Sequence, residues 1–139
     1  MKREIPFWSL HILVPLLLGG CIYLLCRPET YAAQGVLRLL NTLGLPALPY
    51  LKADGTAGRF LVNHLCDACW AYSLTFALAL AVGRPHLVLS TALAAALSAA
   101  YELWQLWNPS IGTFDPIDII IEIAVCLRAY EIMYRRKYS

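Results

Sequence analysis

The sequence predicts an all-α fold: a polytopic membrane protein built as a four-helix transmembrane bundle, with an interfacial helix in the first external loop. Three observations predict it. The 139 residues are 60% hydrophobic and only 14% charged, against roughly 25% charged in ordinary soluble domains. Apolar stretches at about residues 7–25, 61–82, 86–107 and 116–133 each approach the ~20 residues a helix needs to cross a bilayer. The basic residues sit mostly at the chain ends: Lys2 and Arg3, then Arg135, Arg136 and Lys137. In lipid each span must satisfy its own backbone polar groups, which selects helices. The length suits one membrane domain, residues 1–139. A net charge of +2, with no basic patch the size of a groove, argues against a nucleic-acid partner.

The first span, 7–25, carries no charge, and Pro15 should kink it. Lys2 and Arg3 ahead of an apolar run also fit a secretory signal, and Gly19-Gly20-Cys21 resembles a lipoprotein cleavage box. The apolar run continues through Ile22 to Leu25, where a cleaved mature end turns polar, so an uncleaved anchor is expected. Residues 27–60 form a long connection. Within it, 30–43 begins at Thr30, a candidate N-cap, and stops at Gly44 and Pro46. Gln34 and Arg38 interrupt its apolar face, so it suits the interface plane and is too short to span. Pro46, Pro49 and Asp54-Gly55 mark irregular chain and a turn.

Gly83 suits the C-cap of the second span and Pro85 the first turn of the third. The short link makes these two an antiparallel hairpin. On the third span Ala92, Ala96 and Ala100 recur every four residues, as do Ala95 and Ala99, a spacing that lets helix backbones approach in the core or in a homo-oligomer. Trp104 and Trp107 mark the interface at its far end. Residues 108–113 read as a turn, with Asp115-Pro116 as N-cap and first residue of the fourth span. Arg128 can snorkel, and Glu131 and Arg135 have i,i+4 spacing. Basic residues at both ends place both termini in the cytoplasm by the positive-inside rule, and loops 27–60 and 108–115 outside.

That connectivity brings polar residues together whichever way the protein faces. The start of the second span, the end of the third and the start of the fourth share one side of the membrane. They carry Asn63, His64 and Asp67; Glu102 and Gln105; and Asp115, Asp118 and Glu122. Within each set the residues are three, four or seven apart and lie on one helical face. Asp115 to Glu122 descends about 10 Å at ~1.5 Å per residue, so a funnel closing near Glu122 is expected. Capping offers a bland explanation for Asp115, Asp118 and Asn63, and the helix dipole one for Asp67. A lone His64 is commonly a packing residue. Neither effect explains Glu102, near a helix C-terminus, or Glu122, two turns inside a span, where a lipid-facing charge costs ~2.5–3.5 kcal/mol or more. The interfacial belt explains Trp70 and Trp104, and stacking on a sugar or lipid is the alternative.

Glu102-x-x-Gln105, a short turn, then Asp115-x-x-Asp118 opening an apolar helix resembles the VanZ-like family of small bacterial membrane proteins. The segment from His64 to Tyr72 resembles the polar start of that family's central hairpin, so the likeness covers roughly residues 60–128. The sequence departs from the pattern at Glu122, where the family usually has asparagine, and lacks an arginine in 108–114. The resemblance implies a multi-pass protein of the bacterial plasma membrane with a cell-envelope role, such as glycopeptide (teicoplanin-type) resistance, or handling of a lipid-linked wall precursor.

Several chemistries fit these residues. An outward acidic pocket would bind a cationic or hydrogen-bonding ligand. In a catalytic version His64 is the base and Glu102 or Glu122 the acid, with Asp67 beside them. His64, Asp67, Glu102 and Asp118 would suit a hard divalent cation. Asn63, Gln105, Asp115, Asp118, Trp70 and Trp104 are candidate binding residues. Cys66-x-x-Cys69 at a helix start, with Cys21 and Cys26 toward the same side, raises a thiol oxidoreductase as the alternative. Intramembrane acids also suit a small proton-coupled transporter or assembly partner.

Overall fold

A computed structural model describes residues 4–27, 30–46, 48–109 and 112–138. Lys2, Arg3 and, in the expected turn, Ser110 and Ile111 lie outside the described residues. The described chain is all-helical: α1 (Glu4–Cys26), α2 (Tyr31–Thr42), α3 (Gly55–Val82), a 3-10 turn (Arg84–His86), α4 (Leu87–Trp107) and α5 (Pro116–Tyr138). Three of these, α1, α3 and α4, are long and apolar enough to cross a membrane, which marks a membrane protein. The charges on α5, from Asp118 and Glu122 to Arg128, Glu131 and Arg135, lower its apolar character.

The helix ends follow local chemistry. At the end of α2, Gly44 adopts φ 68°, the Gly44 N–H donates to the Asn41 carbonyl, and the Leu45 N–H donates to the Leu40 carbonyl. This is a Schellman arrangement, and it satisfies carbonyls that the helix itself leaves open. Thr30 occupies the N-cap of α2 but does not cap it: its hydroxyl donates instead to the Arg27 carbonyl at 2.9 Å. Gly83 caps α3 at φ 98°, and Pro85 falls in the 3-10 turn that reverses the chain. Asp115 caps α5, its Oδ1 accepting from the Ile117 N–H at 2.9 Å.

α3 is central and packs against α1, α4 and α5; α4 also packs against α5. α1 runs antiparallel to α3. Phe7 and Trp8 meet Phe76 at ring separations of 5.8 Å, while Gly19, further along α1, meets Cys66 and Cys69. At one end of the bundle Trp8, Phe76, Ala79, Leu87, Ala129 and Met133 form an apolar core. His11 stacks on Phe76 there and shares a 2.7 Å hydrogen bond with the Tyr72 hydroxyl, and Arg136 stands 3.9 Å from the Phe7 ring centroid. The start of α1 and the end of α5 therefore meet at this end. The polar residues gather at the other.

Two elements differ from the sequence reading. α3 begins at Gly55, six residues ahead of the expected start, with Asp54 at its N-cap position. Asn63 is thus a mid-helix residue and not a cap, and Asp67 lies twelve residues in, beyond the reach of the helix-end dipole. On α4 the face carrying Ala92, Ala96 and Ala100 is exposed, and the packed face carries Ser90, Ala94, Ser98, Glu102 and Gln105. Small residues still permit the approach, but the packed face of α4 is the one that carries Glu102 and Gln105, whose side chains are buried and hydrogen-bonded to each other.

Candidate functional site

The site is built where α3, α4 and α5 face one another at the polar end. His64 on α3 and Asp118 on α5 are both buried, and His64 Nδ1 is hydrogen-bonded to Asp118 Oδ1. The Phe60 ring lies 4.2 Å from the imidazole and shields it. On α4, the Gln105 amide donates to Glu102 Oε1 at 2.8 Å. The turn after α4 lies against Gln105: a Cβ on Gly112 would come within 2.8 Å of Gln105 Cδ, so the small residue there leaves the Gln105 amide free to reach Glu102.

Burial deepens along α5 as a funnel requires. Asp115 is half-buried, Asp118 is 7% exposed and Glu122 only 2%. Glu102 is 1% exposed. Each of these two glutamates has one buried carboxylate oxygen, Oε2, with no hydrogen-bond partner among the described residues. The carboxylates of Asp67, Glu102, Asp118 and Glu122 act on one another electrostatically, and His64 and Arg27 oppose their charge at Asp67. Gathering four acids is unfavourable, so the arrangement calls for protons, cations or hydrogen-bond donors as companions.

The sequence-derived candidates sort into groups. His64 and Asp118 touch directly, and with Asp115 their ligand-type atoms lie within 4.8 Å of one another. That trio could hold a cation. It retains His64 and Asp118 from the expected metal set but brings in Asp115 in place of Asp67 and Glu102. Glu102 and Gln105 form a second pair beside it. Asn63 is exposed at the rim, and Trp104, 59% exposed, faces outward.

Asp67 and Glu122 belong to something the sequence did not disclose. They are the acids of a groove of about 700 Å³ lined mainly by α1, α3 and α4, with Glu122 entering from α5, and its walls include Leu16, Gly20, Leu24, Trp70, Leu74 and Leu97. The volume falls in the ~300–1,000 Å³ range of small-molecule sites, and the walls are mostly apolar with a few polar groups, as such sites are. Of the two tryptophan candidates, Trp70 is the one on this groove. Ser98 and Tyr101, which the sequence reading passed over, line it as well. The signal that could have found Ser98 is its position four residues before Glu102 on the same α4 stripe, whereas Tyr101, next to Glu102, lies about 100° round the helix and carried no such signal.

Cys66 and Cys69 lie in the α1–α3 contact. Both are buried free thiols, and the Cys66 thiol donates to the Gly19 carbonyl at 3.5 Å. Their small size serves close packing there. Cys21 is exposed and Cys26 half-buried, both also free. No family model, no curated protein and no solved structure matches this chain.

Proposed function

We propose that this is a VanZ-like cell-envelope protein of the bacterial plasma membrane, a four-helix transmembrane bundle that binds an amphiphilic envelope component. The observation that carries the reading is the pairing of Glu122, buried with an unpartnered oxygen, with the apolar groove it helps line. A ligand would lay its hydrocarbon in the groove and present a cationic or hydrogen-bond-donating group to Asp67 and Glu122. The membrane core repels a lone charge, so these acids are held for a partner. A lipid-linked wall precursor or a teicoplanin-type glycopeptide has both kinds of surface. Burying the ligand's apolar part supplies affinity at ~25 cal/mol per Å² before the losses of association, and the acids supply orientation.

In this reading α5 is the fourth span, both termini are cytoplasmic and the polar end is outward. The contact of Arg136 with Phe7 supports it, because the start of α1 and the end of α5 then lie at the same end of the bundle. The test is expression of wild type and Glu102→Gln, matched for membrane level, in a susceptible Gram-positive host. Wild-type protection against teicoplanin that is lost in the variant is the expected result. Protection that persists in full in both Glu102→Gln and Glu122→Gln overturns the site assignment.

A second reading has its own observation. The His64, Asp115 and Asp118 trio offers one imidazole and two carboxylates, a donor set suited to a divalent cation. Such an ion would offset the clustered acids and fix α3 to α5. Titration with Mn²⁺ or Zn²⁺ should raise the unfolding midpoint of the wild type, by about 2.7 kcal/mol of stability at 100-fold excess over Kd. An equal rise in Asp118→Asn rejects the trio as the site.

A further inference from the structure

The first connection is basic where a short external loop is normally poor in Lys and Arg. Three of its cations converge. Arg27 follows α1, Lys52 precedes α3 and Arg59 lies in the second turn of α3, yet all three line one cavity of about 430 Å³. Arg38, the other cation of the connection, is exposed on α2 and takes no part in it. Asp54 is the sole carboxylate among the described lining residues, and it stands 3.7 Å from Lys52. Both of those groups are exposed, so their contact neutralises little. Among the described lining residues positive charge remains in excess, three cations against one anion.

Two further features suit an anion. Gly55, the first residue of α3, forms part of the wall. Asp54, at the N-cap, makes no side-chain capping bond, so it does not occupy the first N–H groups of this 28-residue helix. Backbone donors and the positive end of the helix dipole thus join the cations.

The position of this cavity gives it meaning. On α1 its residues Cys26 and Arg27 follow directly after Tyr23 and Leu24 of the apolar groove. On α3 Val62 and Asn63 precede Cys66 and Asp67 of the groove by four residues, about 6 Å of rise. Arg27 is also a counter-charge to Asp67. The basic cavity therefore caps the hydrocarbon-lined groove, one helical turn nearer the surface.

We propose that the Arg27–Lys52–Arg59 cavity binds the phosphate group of an amphiphile whose chain lies in the adjoining groove. The proposal rests on the groove reading above and narrows it to lipid phosphates. Arginine pairs with phosphate through parallel N–H bonds, and lysine adds a point charge. Asn63, exposed at the junction of the two cavities, is positioned to contact the group that joins phosphate to chain.

The experiment uses the full chain in maltoside micelles and isothermal titration calorimetry with three probes: dodecyl phosphate, dodecanol and inorganic phosphate. Dodecyl phosphate should bind at least tenfold more tightly than either of the others. Arg27→Gln/Arg59→Gln should abolish its advantage over dodecanol, whereas Arg27→Lys/Arg59→Lys should keep most of it and Arg38→Gln all of it. Helical circular dichroism confirms folding of each variant. Equal binding of dodecyl phosphate and dodecanol overturns the phosphate assignment while dodecanol binding keeps the groove reading alive. Equal binding of inorganic phosphate and dodecyl phosphate overturns the lipid source. Failure of Gly20→Leu, which fills the groove, to weaken dodecanol or dodecyl phosphate overturns the groove itself.

Discussion

Adjacent glycines on α1 should respond to the same substitution with opposite signs. Gly19 sits where α1 crosses α3. A Cβ added there would stand 3.0 Å from Cys69 Cβ and 3.3 Å from the Cys66 carbonyl oxygen. The second of these is backbone, so it cannot swing aside, and relief requires α1 to move off α3. Overpacking of this kind costs ~1–3 kcal/mol. Replacing a helical glycine with alanine returns ~0.5–1 kcal/mol through backbone entropy. The net expectation for Gly19→Ala is a loss of about 1 kcal/mol. At Gly20 the added Cβ meets nothing within 4 Å. Gly20→Ala should therefore keep the whole helix-propensity gain, ~0.5–1 kcal/mol. Thermal unfolding of both variants in micelles, followed by circular dichroism at 222 nm, compares them directly. The order Gly20→Ala, wild type, Gly19→Ala is expected. Gly19→Ala at or above wild type would refute the close α1–α3 crossing and, with it, the wall of the groove.

The His64–Asp118 hydrogen bond is buried at both partners, so removing either should be costly: His64→Ala or Asp118→Ala is expected to lose ~3–5 kcal/mol, with the double variant losing less than the sum. A double-mutant cycle by thermal or denaturant unfolding checks this, and strict additivity would show the two side chains to be independent. Gly112→Ala should push the Gln105 amide away from Glu102, because its Cβ would overlap that flexible side chain. The expected result is a small change in unfolding midpoint with loss of protection in the teicoplanin assay. A large unfolding shift would show instead that the turn backbone is what the glycine serves.

Much of the site's location followed from connectivity. Once α3, α4 and α5 are taken as consecutive antiparallel segments, the polar ends carrying His64, Glu102 and Asp118 must share a side. The structure has them there, with Glu102 and Glu122, the two acids that neither capping nor the helix dipole explains, both buried. The start of α3 was harder to read, because Gly55 and Gly58 disfavour a helix while the turn residues Asp54-Gly55 suggest its absence. The extra turns at 55–61 are largely exposed and continue from the packed helix below, overriding those local preferences, which is why Asn63 is mid-helix and Asp67 has no dipole explanation. The alanine stripes divide for a related reason: Ala95 packs beside the core, while the Ala92, Ala96 and Ala100 face is exposed. Ala92, Ala96 and Ala100 share a face, but so do Ser90, Ala94 and Ser98, and sequence spacing does not rank two faces of small residues. Burying the Glu102 and Gln105 side chains does.

The sequence by itself determined the all-helical class, the apolar segments and the end of the bundle that holds the acids. These depend on quantities local to the chain: hydropathy over about twenty residues, turn chemistry, and the requirement that backbone groups be satisfied within each helix. Only the tertiary structure decided which acids meet which partners. It put Asp118 against His64, set Asp67 and Glu122 on the wall of a groove, and drew Arg27, Lys52 and Arg59 to one cavity. Those outcomes depend on the rotation of each helix about its own axis and on the path of the connection after α1. Both depend on contacts between residues far apart in the sequence, such as Gly19 against Cys66 and His64 against Asp118.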